Sequence, residues 1–97
     1  ETLFIYTTLF RSESKVESDI RIYAKHRGWW QAKFVAPGKR GVPDRLFIRR
    51  GCVIFIEIKK AGETPTVQQA RRHTEMREHG AKVYWVDNLN DAMEILF

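Results

Sequence analysis

The chain holds a single cysteine, Cys52, so no disulfide can close within its 97 residues. That fits a reducing compartment and excludes the disulfide-stapled scaffolds of many small secreted domains. The three histidines, His26, His73 and His79, show no metal-ligand spacing with Cys52, and a zinc site is not expected. No apolar run approaches the roughly 18–20 residues needed to span a membrane, so no membrane association is expected. Internal repeats, low-complexity tracts and linkers are also missing. Acidic residues are the minority charge: seventeen Lys and Arg face twelve Asp and Glu, giving +5 and a pI near 9.7. An excess of cations suits a polyanionic partner, although a solvated basic surface accounts for charge alone equally well.

What is present fits one domain. A hydrophobic fraction of 43% with 12% aromatics is too apolar for a disordered chain. A domain of this size buries a limited share of its surface, so a partner subunit would help it.

The string from Thr2 to Ser12 stands apart: it is apolar without a clear period and carries only Arg11 as a charge. It resembles the translation of a common sequencing-adapter oligonucleotide, which has Pro where Ile5 stands. Residues 1–12 are therefore expected to be foreign and residues 13–97 to form the domain. The competing expectation is a genuine β-strand, because Thr, Tyr, Ile and Phe favour strands; packing of Phe4, Tyr6 and Phe10 into a core would support it.

Beyond that segment, Val16, Ile20 and Tyr23 repeat at helical spacing, so Ser14 to Arg27 reads as a helix ended by Gly28. Ser14 and Glu17 have capping-box spacing. Trp29 to Val35 reads as a strand. The loop Ala36-Pro-Gly-Lys-Arg-Gly-Val-Pro43 follows, rich in glycine and proline breakers. Two strands, Arg45 to Arg50 and Cys52 to Lys59, flank a tight turn at Arg50-Gly51. Thr66 to His79 reads as a helix followed by Gly80, Lys82 to Asp87 as a strand, and Asn90 can cap a last short helix through Leu96. The order α-β-β-β-α-β-α predicts an α/β fold, with a mixed sheet of about four strands flanked by helices and a parallel crossover through the second helix.

The chemistry gathers on the hairpin. Asp44 opens one strand; Glu57 and Lys59 sit two apart near the end of the next, so alternation puts them on one face, opposite Ile54, Ile56 and Ile58. Antiparallel pairing through the Gly51 turn brings Asp44 beside Glu57. Two carboxylates and an ammonium then share one patch. Hard divalent cations such as Mg2+ take one or two carboxylates plus waters and substrate phosphate. Such an ion polarises a phosphodiester and generates hydroxide, and Lys59 can orient water or stabilise charge on phosphate. An exposed cross-strand charge pair is the plainer reading. It fits poorly, because Val53 to Ile58 is apolar on both faces and burying Glu57 there is costly without a partner.

Gly41-Val-Pro-Asp44 followed by Glu57-Ile-Lys59 resembles the PD-(D/E)xK nucleases, and more narrowly the VRR-NUC (virus-type replication-repair nuclease) branch. The resemblance runs from Ser14 to about Asp87. It implies a restriction-endonuclease-like core and a hydrolase that cuts DNA phosphodiesters with Mg2+ or Mn2+. Asp44, Glu57 and the main-chain carbonyl of Ile58 would be the metal ligands and Lys59 the catalytic lysine. Glu17 would be the first-helix acid, a carboxylate in an outer position or at a second metal; its plainer roles are the capping box or an i,i+4 pair with Arg21. The glutamine of the following helix is Gln68 or Gln69, and the spacing to Gly80 favours Gln69, although Arg72 stands where the family often has an aromatic residue.

Small members of this branch are viral and similar to Holliday-junction resolvases. A homodimer is therefore expected, since symmetric cutting of a four-way junction needs two sites, and the host cytoplasm is the expected location. Lys39, Arg40, Arg45, Lys60, Arg71 and Arg72 are candidates to contact DNA phosphates near the site, with a solvated basic face as the alternative for many of them. Trp29 and Trp30 could stack on bases, with core packing expected for at least one. The competing functions are a basic DNA-binding module without turnover, and a flap or RNA nuclease.

Overall fold

Helix α1 (Glu13–His26) is defined by both of its ends. A computed structural model describes residues 12–97, and its first residue, Ser12, is the N-cap: the extended serine accepts the Lys15 N–H on Oγ at 3.2 Å. The cap expected at Ser14 falls inside the helix, and Glu17 is drawn away to Arg45, so the Ser14–Glu17 box does not form. Ser12 thus adds one residue to the unit expected over 13–97, while the expectations for Phe4, Tyr6 and Phe10 lie outside the described residues. At the other end, Gly28 N–H bonds Lys25 C=O at 3.0 Å and Trp29 N–H bonds Ala24 C=O at 3.0 Å. This pair is a Schellman closure, and it satisfies carbonyls that the last helical turn would otherwise leave open.

That closure delivers Trp29 into the core. Its indole N–H donates to Leu96 C=O at 2.9 Å, and the Arg49 guanidinium lies 4.2 Å from the ring centroid. Trp30 begins the sheet and is 61% exposed, so one of the two tryptophans packs and the other does not.

The sheet has four strands in the order β1-β2-β3-β4: β1 (Trp30–Lys33), β2 (Arg45–Arg49), β3 (Cys52–Ile58) and β4 (Lys82–Val86). The first three are antiparallel neighbours. The β2–β3 turn is Arg50-Gly51, with φ of 51° and 81°; two successive positive φ values match the right-handed twist of a hairpin. Between β3 and β4 the chain crosses through α2 (Val67–Glu78), so β4 pairs parallel to β3. Helix α3 (Leu89–Ile95) closes the chain. Its cap is Asn88, whose side chain accepts the Asp91 N–H at 2.8 Å, rather than the expected Asn90, which already lies in the first turn.

The strands divide the protein into two layers. Phe47, Ile54, Ile56, Ile58 and Val86 face α1 and α3 and form one core with Val16, Ile20, Ala24, Ala92 and Leu96. Each of these isoleucines contributes roughly 1.5–3 kcal/mol by leaving water, so this face fixes the register: a one-residue slip would expose all three. Cys52 packs at the edge of this core, half-buried, with Lys82 Nζ 3.5 Å from its sulfur. The other face carries Phe55, Glu57 and Val83 toward α2, with Phe34 meeting Phe55 edge-on at 5.0 Å between centroids. Among the described residues no helix is long and apolar enough to cross a membrane.

Candidate active site

The β2–β3 register sets the centre of the site. Arg45 opposes Ile56, so one step further along the antiparallel pair Asp44 meets Glu57. Asp44 is held by the strand beside it: its Oδ2 accepts the Ile58 N–H at 3.2 Å. Glu57 is only 2% exposed. Lys59 is buried too, with Nζ 3.8 Å from Glu57 Oε2, and its own N–H is tied to Val86 C=O at 2.8 Å.

Helix α2 supplies the roof. Gln69 closes a reciprocal capping box with Thr66 through its Oε1 and backbone N–H, at 2.9 and 3.1 Å. Its amide nitrogen then donates to Glu57 Oε2 at 3.3 Å. Gln68 is exposed on the outer side of the helix. Of the two candidate glutamines, Gln69 is thus the one brought to the carboxylates.

One helical turn on, His73 is 1% exposed and places Nε2 3.8 Å from Glu57 Oε1. The backbone of Gly41 lies beside the same ring and favours its protonated form. No site role was expected for His73; its i,i+4 relation to Gln69 is the signal that puts both on one helix face. The loop before Asp44 is pressed against α2 as well. Arg72 Nε donates to Arg40 C=O at 2.8 Å, and Gly41, at φ 84°, lies so close that a Cβ would sit 2.9 Å from Gln68 C=O.

Two buried carboxylates side by side have an electrostatic consequence. Burial, then the Asp44 charge, push the Glu57 carboxyl up to about 8, with the Lys59 ammonium opposing them. Burial, and next the Arg77 charge, lower His73 below its usual value. Among the described residues, Glu57 Oε1 and His73 Nε2 are both buried without a hydrogen-bond partner.

Glu17 does not join this cluster. Its Oε2 accepts from Arg45 at 3.0 Å on the α1 side of the sheet. Glu13, one turn earlier, adds a small upward push to the Glu57 carboxyl, behind burial and the Asp44 charge. Among the described residues no group of three or more His, Cys, Asp or Glu side chains has metal-holding geometry. A cation here would therefore have Asp44, Glu57, main-chain oxygen, water and substrate to draw on.

The candidate phosphate contacts separate. Lys39, Arg40, Lys60 and Arg71 are exposed. Arg72 is committed to Arg40 C=O and to Glu75, 2.6 Å away. Arg45 is 5% exposed and points away from the carboxylate pair, toward α1. An exposed approach to that pair through Arg45 is thus not what the fold provides.

No family model matches the chain. The protein described as "Putative nuclease p44" from Acyrthosiphon pisum secondary endosymbiont phage 1 is 39% identical over 85 residues, covering 87% of this chain and 90% of that protein. A solved structure described as "VRR_NUC domain" superposes with a TM-score of 0.77 at 27% identity, covering 86% of this chain and 91% of that one. A second, "VRR_NUC domain protein", has a TM-score of 0.75, covers 89% of this chain and 85% of that one, and at 20% identity speaks to the fold alone. With its Gly-Val-Pro-Asp loop and Glu-Ile-Lys strand end joined in one cluster on this four-stranded sheet, the chain belongs to the VRR-NUC family.

Proposed function

We propose that the protein is a nuclease that hydrolyses DNA phosphodiester bonds with Mg2+ or Mn2+ at the Asp44–Glu57 pair. The observation that carries this reading is the juxtaposition of two carboxylates at a strand end, with Glu57 Oε1 buried and without a hydrogen-bond donor among the described residues. A carboxyl raised to about 8 by burial and a neighbouring carboxylate needs a positive charge to be ionised at neutral pH. The donor set is all oxygen, which suits a hard divalent ion that keeps several waters. Asp44, Glu57 and the Ile58 carbonyl would hold it. When bound, the ion supplies Lewis-acid activation of the phosphate and an acidified water.

The chain's own residues do the rest. Gln69 fixes the Glu57 carboxylate through Oε2, and Oε1 faces His73 Nε2 at 3.8 Å. The Lys59 ammonium orients the attacking water and stabilises the charge that develops on phosphate. Glu17 acts from outside the immediate ligand set by holding Arg45 at the start of β2. Lys39, Arg40, Lys60 and Arg71 contact the DNA backbone without reading sequence, and Arg72 orders the loop that bears two of them.

Branched DNA such as a Holliday junction is the proposed substrate and a homodimer the proposed assembly, acting in a bacterial host's cytoplasm on phage DNA. Both follow from the family resemblance, and the p44 relative is a phage protein. Residues 1–12, apart from the Ser12 cap, are proposed to lie outside the nuclease unit. The test is incubation with labelled four-way junction, 5′-flap and linear duplex DNA and with RNA, in Mn2+ or EDTA, beside the Lys59→Ala protein. Cleavage in Mn2+ alone, lost in Lys59→Ala, is the expected result. No cleavage of any substrate overturns the nuclease reading. Cleavage of duplex or flap without the junction overturns the junction assignment. Sedimentation of the DNA-free and junction-bound protein tests the dimer.

A further inference from the structure

A groove of about 400 Å³ runs between α1 and the sheet edge, lined by Ser18, Arg21, Ile22, Lys25, Gln31 and Arg45. Three of the six are cations and none is an acid. Arg21 and Lys25 are exposed and one helical turn apart on the same face of α1. The groove is built rather than incidental. Gln31 donates its amide to Arg21 C=O at 2.9 Å, tying β1 to the helix, and its side-chain oxygen lies 3.5 Å from Arg45 NH2.

The floor carries the second observation. Arg45 is 5% exposed, and although NH1 is paired with Glu17, its Nε is buried with no hydrogen-bond partner among the described residues. A buried guanidinium with an unmet donor is costly, and its position under two exposed cations favours an anion above it. Arg45 also follows Asp44 directly in the chain, so the two Cα atoms are about 3.8 Å apart while their side chains leave opposite faces of the sheet. The groove therefore begins where the carboxylate pair ends.

We infer that this groove is a second phosphate-binding track, which takes the sugar-phosphate backbone of DNA a few nucleotides from the bond being cut. It rests on the nuclease reading above for the identity of the polyanion. Arg21 and Lys25 contact phosphates, and Arg45, paired with Glu17, forms the floor beneath them. A strand passing the Asp44–Glu57 pair turns over the start of β2 into the groove, so the track favours bent or branched DNA over straight duplex.

The test measures equilibrium binding of the full chain to fluorescent junction DNA, duplex DNA and duplex RNA in EDTA, over a range of salt. Wild type is compared with the double variant Arg21→Ala/Lys25→Ala and with the charge-keeping Arg21→Lys/Lys25→Arg. Losing two phosphate contacts should lower the slope of log affinity against log salt by about 1.8 and weaken binding roughly ten-fold or more at 0.1 M salt. The charge-keeping variant should retain the wild-type slope, and the loss should be greater for the junction than for the duplex. An unchanged slope in the alanine variant, from a protein that binds and cuts DNA, overturns the groove and leaves the nuclease standing. An equal loss in the charge-keeping variant overturns it too, since that marks a structural role. A slope change on RNA with none on DNA overturns the choice of DNA. Wild type that binds DNA with the expected slope change but never cuts it supports the groove and removes the nuclease reading instead.

Discussion

Glu57 faces Asp44 across the β2–β3 pair, one register step past Arg45 and Ile56, and burial first, then the Asp44 charge, raise the Glu57 carboxyl to about 8. Below pH 4.5 the folded and unfolded chains both keep this proton. Between about 4.5 and 8 the unfolded chain releases it and the folded chain retains it, so rising pH favours unfolding; above 8 the full penalty applies. His73 works in the opposite sense, because its lowered value makes the folded chain resist protonation as pH falls through 6.5. Arg77, Lys59 and Asp44 add their charges to that balance. Metal-free wild type and Glu57→Gln, compared by thermal denaturation, separate the two. The variant should match wild type at pH 4.5 and exceed it increasingly toward pH 8, by at most ~5 kcal/mol. A constant difference across that range refutes the assignment.

Metal should reverse this loss. In the metal-free protein the penalty at pH 8 is an unmet carboxylate pair; an ion bound only by the folded state stabilises by mass action, about 2.7 kcal/mol at a hundred times its Kd. Titrating Mn2+ at pH 8 should raise the melting temperature, EDTA should return it, and Asp44→Asn should abolish the rise. A rise that persists in Asp44→Asn places the ion elsewhere.

Gln69 and Gln68 are neighbours in sequence with different surroundings. Gln69→Ala removes both the reciprocal cap on Thr66 and the bond to Glu57, so stability should fall by about 1 kcal/mol and cleavage should fall with it. Gln68→Ala, exposed on α2, should change stability by less than about 0.5 kcal/mol. Paired denaturant melts and cleavage rates check both; equal effects would mean that the helix register differs.

Lys59→Ala should reduce cleavage by about 10²–10³-fold, the usual effect of losing one group that stabilises transition-state charge. Because Lys59 lowers the Glu57 carboxyl while it is present, the metal-free variant should also hold the Glu57 proton to higher pH than wild type does. NMR titration of the carboxyl with single-turnover rates reads both, and an unchanged titration would contradict the placement of the ammonium.

Gly41→Ala should cost roughly 1–3 kcal/mol. The residue adopts φ 84°, and its Cβ would lie 2.9 Å from Gln68 C=O and 3.2 Å from the Arg72 Cβ. The loop cannot retreat without disturbing Asp44, so lower activity should accompany the loss. Urea denaturation and cleavage rates test this; a stable, fully active variant would show that the loop is not clamped.

The element order, the hairpin at Arg50-Gly51 and the pairing of Asp44 with Glu57 were legible in the chain. Strand alternation and turn chemistry act over a few residues, and a two-residue turn fixes antiparallel register. The caps were less legible. Serines and asparagines cluster near both helix starts, and only the backbone of Ser12 and Asn88 is extended where capping requires it. Packing across the sheet was out of reach of sequence. Whether Arg45 meets DNA or Glu17, whether Glu13 or Glu17 senses Glu57, and whether His73 is ordinary or buried against the carboxylates all depend on how α1 and α2 sit on opposite faces. Those docking angles are set by apolar surface summed over many residues, which no local motif encodes. The sequence alone determined the strand-end cluster of Asp44, Glu57 and Lys59; the tertiary structure decided what surrounds it, because burial and neighbouring charge exist only once the layers have packed.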